Sequence, residues 1–356
     1  MSDPGESAAN EPAAEHQQDQ QPTPEQLAAF PPPLVPAPVP ILMVDVELEY
    51  QRLPRALGNY AWWRPLVALA IAGGLIAVAS VIWLLGAGVI GFSTGILDFD
   101  EFETEIFRLA TIDAASPFSL IVLLGSVAIW LPCIFLAVRL AGMRPAGHLS
   151  SVSLRLRWRW LLSCLVPAAS VMAFTALIML VVGPVAGGVP LDPITIDPGL
   201  LALNILIILL VVPFQAAAEE YAFRGVLFQA IGSWIRYVWI AMIVTTLAFV
   251  SGHIYDIWGL IDVGIFGFAA AWLAWRTGGL EAAIVMHSLN NIVLFIILAT
   301  GVAGGTEVTE DGSGPIPILL TALTMVVYCF WIDRRARKRG ISRSVLARVP
   351  AKVQPA

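Results

Sequence analysis

Eight apolar runs limit what this chain can fold into more than any other feature, because about 20 consecutive apolar residues are what one helix needs to cross a bilayer. They lie near residues 65–91, 117–141, 160–184, 200–231, 237–254, 258–275, 280–300 and 315–333. The expected fold class is all-α: a polytopic membrane helix bundle of about eight transmembrane helices. Composition agrees, with 58% of residues hydrophobic and 13% charged, against about 25% charged in a soluble domain. The run at 200–231 is too long for one perpendicular helix and contains Pro213, so it is expected to tilt or to kink there.

The formal net charge of -6 hides a strong segregation. Arg52, Arg55 and Arg64 precede the first run, Arg139, Arg144, Arg155, Arg157 and Arg159 surround the second loop, and Arg334, Arg335, Arg337, Lys338 and Arg339 follow the last run. The alternate loops carry Asp98, Asp100, Glu101, Glu103 and Glu105, then Asp192 and Asp197, then Glu307, Glu310 and Asp311. By the positive-inside rule the basic ends are cytoplasmic, which predicts a multi-pass protein of the cell membrane with both termini in the cytoplasm. Charge of this pattern encodes topology, and no nucleic-acid partner is expected.

Three regions follow. Residues 1–60, rich in Pro, Gln, Ala and Glu, are expected to be a disordered cytoplasmic tail with a polyproline II stretch at FPPPLVPAPVP. Residues 61–333 form the transmembrane domain, and 334–356 a basic cytoplasmic tail. The first long apolar run begins only near Pro65, so no cleavable signal peptide is expected. Cys133, Cys164 and Cys329 lie in apolar runs without ligand-like spacing and are expected to be packing residues.

Against this apolar background, Glu219, Glu220 and Arg224 sit inside PFQAAAEEYAFRGVLFQAI. An ionised side chain near the bilayer centre costs at least about 2.5 kcal/mol, so such a cluster needs partners and marks a site by default. Three i, i+4 pairs place polar groups on single helix faces: Glu220 with Arg224, Phe249 with His253, and His287 with Asn291. Of four histidines, His16 is in the tail and His148 in a loop, leaving two at membrane depth. Glu220 can neutralise Arg224, which is the structural role for those two. Glu219 then lacks a sequence-local partner and is the candidate general base, taking a proton from water. His253 can orient that water, and His287 and Asn291 can donate hydrogen bonds to the oxygen that turns negative when a carbonyl is attacked. Phe249 is read as the cavity wall beside His253. Asn290, Glu281, Asp256 and Asp262 are read as helix-end or packing residues.

The strings Glu219-Glu220-Tyr221-Ala222-Phe223-Arg224, Phe249-Val250-Ser251-Gly252-His253 and His287-Ser288-Leu289-Asn290-Asn291 occur in this order on successive membrane helices. Their combination resembles the CPBP (CAAX protease and bacteriocin-processing, Abi) family of intramembrane endopeptidases, over residues 213–295. The resemblance implies hydrolysis of a peptide bond in a membrane-associated, prenylated or otherwise hydrophobic substrate. It gives Glu219 and His253 the role of activating water, His287 and Asn291 that of oxyanion stabilisers, and Glu220 with Arg224 the role of a structural pair at the site. The family is described as both glutamic and metallo type. No cofactor is expected here, since no H-E-x-x-H occurs, but a divalent metal such as zinc has possible ligands in Glu219, His253 and His287.

Expected partners are thus a membrane-associated peptide or protein substrate and the lipid bilayer. Two other classes compete with this reading. A proton-coupled transporter would carry protons on the buried Glu and His, though no internal repeat is visible in the chain. A non-catalytic immunity or scaffold protein would need none of the motifs intact. An aspartyl protease of presenilin type would need G-x-G-D, and the nearest string is Gly259-Leu260-Ile261-Asp262. A rhomboid-type serine protease would need G-x-S-G, which is absent.

Overall fold

Proline and short polar caps decide where several of the helices begin. Ser116 and Asp197 each accept a hydrogen bond from a backbone N–H three residues on and are each followed by proline, an arrangement that satisfies one orphan donor and loses none. Asp256 caps its helix in the same way through Gly259 N–H at 2.9 Å. At the other ends, Gly95, Gly278 and Gly301 adopt the left-handed conformation that stops a helix.

The computed structural model describes residues 43–105, 112–182, 191–302, 305–308 and 315–350. Its helices are α1 (Arg64–Thr94), α2 (Pro117–Leu140), α3 (Trp158–Val181), α4 (Pro198–Trp234), α5 (Val238–Val250), α6 (Ile257–Thr277), α7 (Glu281–Thr300) and α8 (Pro315–Lys338). Among the described residues seven of these are long and apolar enough to cross a membrane. The protein is a multi-pass, all-α membrane protein, as expected. The count of eight needs one correction: α5 has 13 residues, about 20 Å of helix against a hydrocarbon core of about 30 Å. Sequence hydropathy extends that run to 254, but the backbone leaves the helix at Ser251.

α4 packs against α7 and α2, α7 against α3, and α6 against α5 and α8. Helix α1 lies at the periphery, with Val78, Ile82, Leu85 and Val89 all exposed, the surface expected of a lipid-facing helix. The long run does not break at Pro213, which sits inside regular α-helix. Its irregularity is a π-helical stretch at Tyr221–Leu227, directly after the glutamate pair, and such wide turns occur often at functional sites.

Both proposed tails are shorter than their composition suggests. Residues 43–60 do not belong to a tail: Met43–Glu49 form strand β1 and Tyr50–Ala56 a 3₁₀ helix, with Tyr50 and Leu53 fully buried. β1 pairs antiparallel with β2 (Ser344–Pro350), in register from Met43 opposite Pro350 to Glu49 opposite Ser344. The alternation of Val44, Val46 and Leu48 with acidic residues is the period of a strand, but its partner lies about 300 residues away. Nor do residues 334–338 form a tail, since they continue α8. There Asp333 pairs with Arg276 at 2.5 Å and also with Arg337. The polyproline stretch and residues 351–356 lie outside the described residues.

The loop before α3 is locked into this end of the bundle. Tyr50 Oη donates to Leu149 O, Gln229 Nε2 donates to His148 O at 2.8 Å, and His148 Nδ1 donates to Gln229 Oε1 at 2.6 Å. Burial, opposed by the hydrogen bond to Gln229, lowers the His148 pKa to about 4. An unfolded chain protonates its histidines near pH 6.5. Between those values the unfolded state binds the extra proton, so stability falls as pH drops from about 6.5 to 4, by about 3 kcal/mol in all. Thermal unfolding in detergent is expected to show this acid loss in wild type and not in His148→Gln; equal acid sensitivity would refute the assignment.

Candidate active site

The residues singled out at membrane depth come together at the crossing of α4, α6 and α7, with the α5–α6 loop beside them. Glu220 and Arg224 are fully buried and joined at 3.1 Å across one helical turn. The pair is not isolated. Arg224 Nη2 also donates to Gly267 O at 2.9 Å, and its guanidinium lies 4.2 Å from the Phe249 ring centroid. A buried cation over an aromatic face gains about 2 kcal/mol, so Phe249 does more than shape a wall. Gly267 permits the contact: a Cβ there would come within 3.0 Å of Arg224 Nη2 and 3.1 Å of the Phe249 ring.

His287 ties the two glutamates together. Its Nδ1 donates to Glu220 Oε1 at 2.8 Å, and its Nε2 lies 3.2 Å from Glu219 Oε2. Glu220 Oε1 therefore holds both Arg224 and His287. Glu219 is the more accessible carboxylate, with a side chain 13% exposed against 0% for Glu220. The adjacent glutamates thus occupy unlike environments, one between the Arg224 guanidinium and the His287 imidazole and the other facing His287 at the edge of the buried cluster.

His253 stands just past the end of α5, in the non-helical segment 251–256. Its Nδ1 donates to the Phe249 carbonyl at 2.9 Å, so that in the neutral ring Nε2 is the acceptor. Phe249 packs edge-on against both His253 and His287, at 4.7 and 5.9 Å between centroids. Irregular backbone is tolerated at membrane depth where it lines a cavity. Ser251, Gly252 and Ile254 are exposed there, whereas every residue from Glu281 to Ser288 on α7 is buried. The site is therefore closed at the Glu281 end of the bundle and more open beside the α5–α6 loop. The Tyr255 ring lies 5.8 Å from that of His253.

Asn291 lies one turn beyond His287 and donates through Nδ2 to Gln215 Oε1 at 3.0 Å. Gln215 escaped the sequence reading, although it precedes Glu219 by four residues and so shares its helix face. That spacing was the available signal. Gly267 gave none, because its role depends on a helix 43 residues away in sequence. Phe266, 5.0 Å from His287, is a further unanticipated wall residue.

Other features fix the cluster from outside. Tyr221 Oη and Ser150 Oγ share a hydrogen bond of 2.7 Å. Arg157 forks onto both carboxylate oxygens of Glu281 at 2.8 and 2.7 Å. Among the described residues no group of three or more His, Cys, Asp or Glu side chains is placed to hold a metal ion. The set Glu219, His253 and His287 does not fit that task as arranged: His287 turns both nitrogens to carboxylates, and His253 gives Nδ1 to its own helix.

Comparison with known proteins places this site in context. Residues 200–293 match the family described as Type II CAAX prenyl endopeptidase Rce1-like, a segment that contains all three motifs. The chain is 26% identical over 260 residues to the uncharacterized protein YyaK of Bacillus subtilis (strain 168), covering 70% of this chain and 82% of that protein. No solved structure matches. The resemblance read from the motifs is borne out, and the segment carrying them is CAAX protease-like.

Proposed function

We propose that this protein is an intramembrane endopeptidase that hydrolyses a peptide bond of a membrane-associated, hydrophobic or prenylated peptide, with Glu219 as general base. The observation carrying this reading is the position of His287 between two glutamates, one deeply buried and paired, the other accessible. In the proposed reaction Glu219 takes a proton from water and the resulting hydroxide adds to the carbonyl carbon. Its oxygen becomes negative and is met by an N–H of Asn291, while His287, expected from the motifs as a second donor, has both nitrogens at carboxylates and positions Glu219 instead. The carbon–nitrogen bond then breaks, the Glu219 proton passes to the leaving nitrogen, and the products are a carboxylic acid and an amine, which exchange the remaining proton to become carboxylate and ammonium. His253, an acceptor at Nε2, orients the water.

Catalysis in this reading is of glutamic type and needs no metal. Cleavage of a lipid-tethered peptide by purified protein is expected to survive a strong chelator; loss on chelation, restored by zinc, would overturn that part. Gln215 is the positioning residue for Asn291, holding one amide hydrogen so that the other points at substrate. Gln215→Leu is expected to lower kcat about tenfold with KM unchanged, since one oriented donor contributes this order or more. A purely structural role would instead lower thermal stability and leave the kcat of the folded fraction intact. The same reading puts the basic loops and both termini in the cytoplasm and the protein in the cell membrane, which accessibility of introduced cysteines to impermeant reagents would test.

A further inference from the structure

The membrane-embedded cluster is not the only place where charges converge. A cavity of about 590 Å³ opens at the basic end of the bundle, lined by Glu47, Glu49, Arg52, Arg236, Arg343 and Ser344. Three guanidiniums face two carboxylates, and both carboxylates are engaged: Glu49 takes Arg343 and the Gln51 amide, and Glu47 takes the Ser344 hydroxyl. Arg343 is further pinned with its guanidinium 4.4 Å from the Trp275 ring centroid. Arg52 and Arg236 make no ion pair among the described residues, and Arg52 Nε is buried without a hydrogen-bond partner. Burial first, then the neighbouring charges of Arg55 and Arg236, lower the Arg52 pKa. Two mutually repelling cations around a shared space are the signature of a site built for an anion.

The surroundings indicate where that anion comes from. Trp62, Trp63, Trp234, Tyr237 and Trp239 are exposed at the same end, and the Trp234 indole donates to Trp62 O at 2.8 Å, tying two of these segments together. Exposed tryptophans and tyrosines clustered at one end of a membrane bundle mark the headgroup level of a leaflet. Arg236 lies between Trp234 and Tyr237 in the chain, at the turn from α4 to α5.

We infer that the Arg52–Arg236 cavity binds the phosphate of an anionic phospholipid headgroup, separately from the proposed peptide-cleaving site. Full-length protein, delipidated in neutral detergent, would be titrated with phosphatidylglycerol, phosphatidylcholine and inorganic phosphate and read by native mass spectrometry. Wild type is expected to prefer phosphatidylglycerol to phosphatidylcholine, with about fivefold of that preference lost for each arginine replaced in Arg52→Gln and Arg236→Gln. Arg236 is exposed, so Arg236→Gln keeps the test valid if the Arg52 variant fails to fold. Equal binding of the two lipids by wild type, or an unchanged preference in Arg236→Gln, would overturn the inference. Arginine-dependent capture of inorganic phosphate without any lipid preference would assign the site to free phosphate and overturn its lipid source.

Discussion

Glu219→Gln is expected to reduce cleavage of a membrane-tethered peptide by about 10²- to 10⁴-fold, the range lost when a positioned general base is removed, while leaving the protein folded. The geometry separates these two effects. Glu219 Oε2 lies 3.2 Å from His287 Nε2, and glutamine, nearly the same in shape, fills the same place beside that ring. What glutamine lacks is the ability to take the proton of water. A melting temperature near wild type combined with lost turnover supports the assignment, and His253→Ala is expected to behave similarly. Undiminished cleavage by purified Glu219→Gln would remove Glu219 from the chemistry altogether.

The neighbouring residue should behave in the opposite way. Glu220→Leu leaves Arg224 fully buried with a carbonyl and an aromatic face but no anion, and stranding one member of a buried pair costs about 3 to 5 kcal/mol. It also removes the acceptor of His287 Nδ1. Large destabilisation is therefore expected in thermal unfolding or denaturant titration. The double variant Glu220→Leu/Arg224→Leu should recover much of it, because two apolar side chains leave no unpaired charge. A single variant as stable as wild type would show that the pair does not hold these helices.

The contrast between adjacent glutamates explains what could be read from the chain alone. Glu220 and Arg224 were legible as a pair because i, i+4 spacing forces proximity within any helix. The helical runs were legible because lipid demands length and apolarity together. The Glu219–His287, Asn291–Gln215 and Arg224–Gly267 contacts depend on how α4, α6 and α7 cross, which no local period reports. Hydropathy likewise overran the end of α5, because Ser251 and Gly252 lie among apolar neighbours. The ends of the chain misled for a related reason. A Pro- and Gln-rich segment looks like a tail throughout unless the partner of its last few residues is known, and β1 finds its partner only in β2.

That distant pairing also sets an order of events during synthesis. β1 leaves the ribosome about 300 residues before β2, a delay of about 15 to 60 s at about 5 to 20 residues per second. For that interval Tyr50 and Leu53 can settle against the bundle while the strand beside them has an open edge. The sheet closes only after α8 has been made, so it joins two segments about 300 residues apart and cannot form in a chain that stops before Ser344.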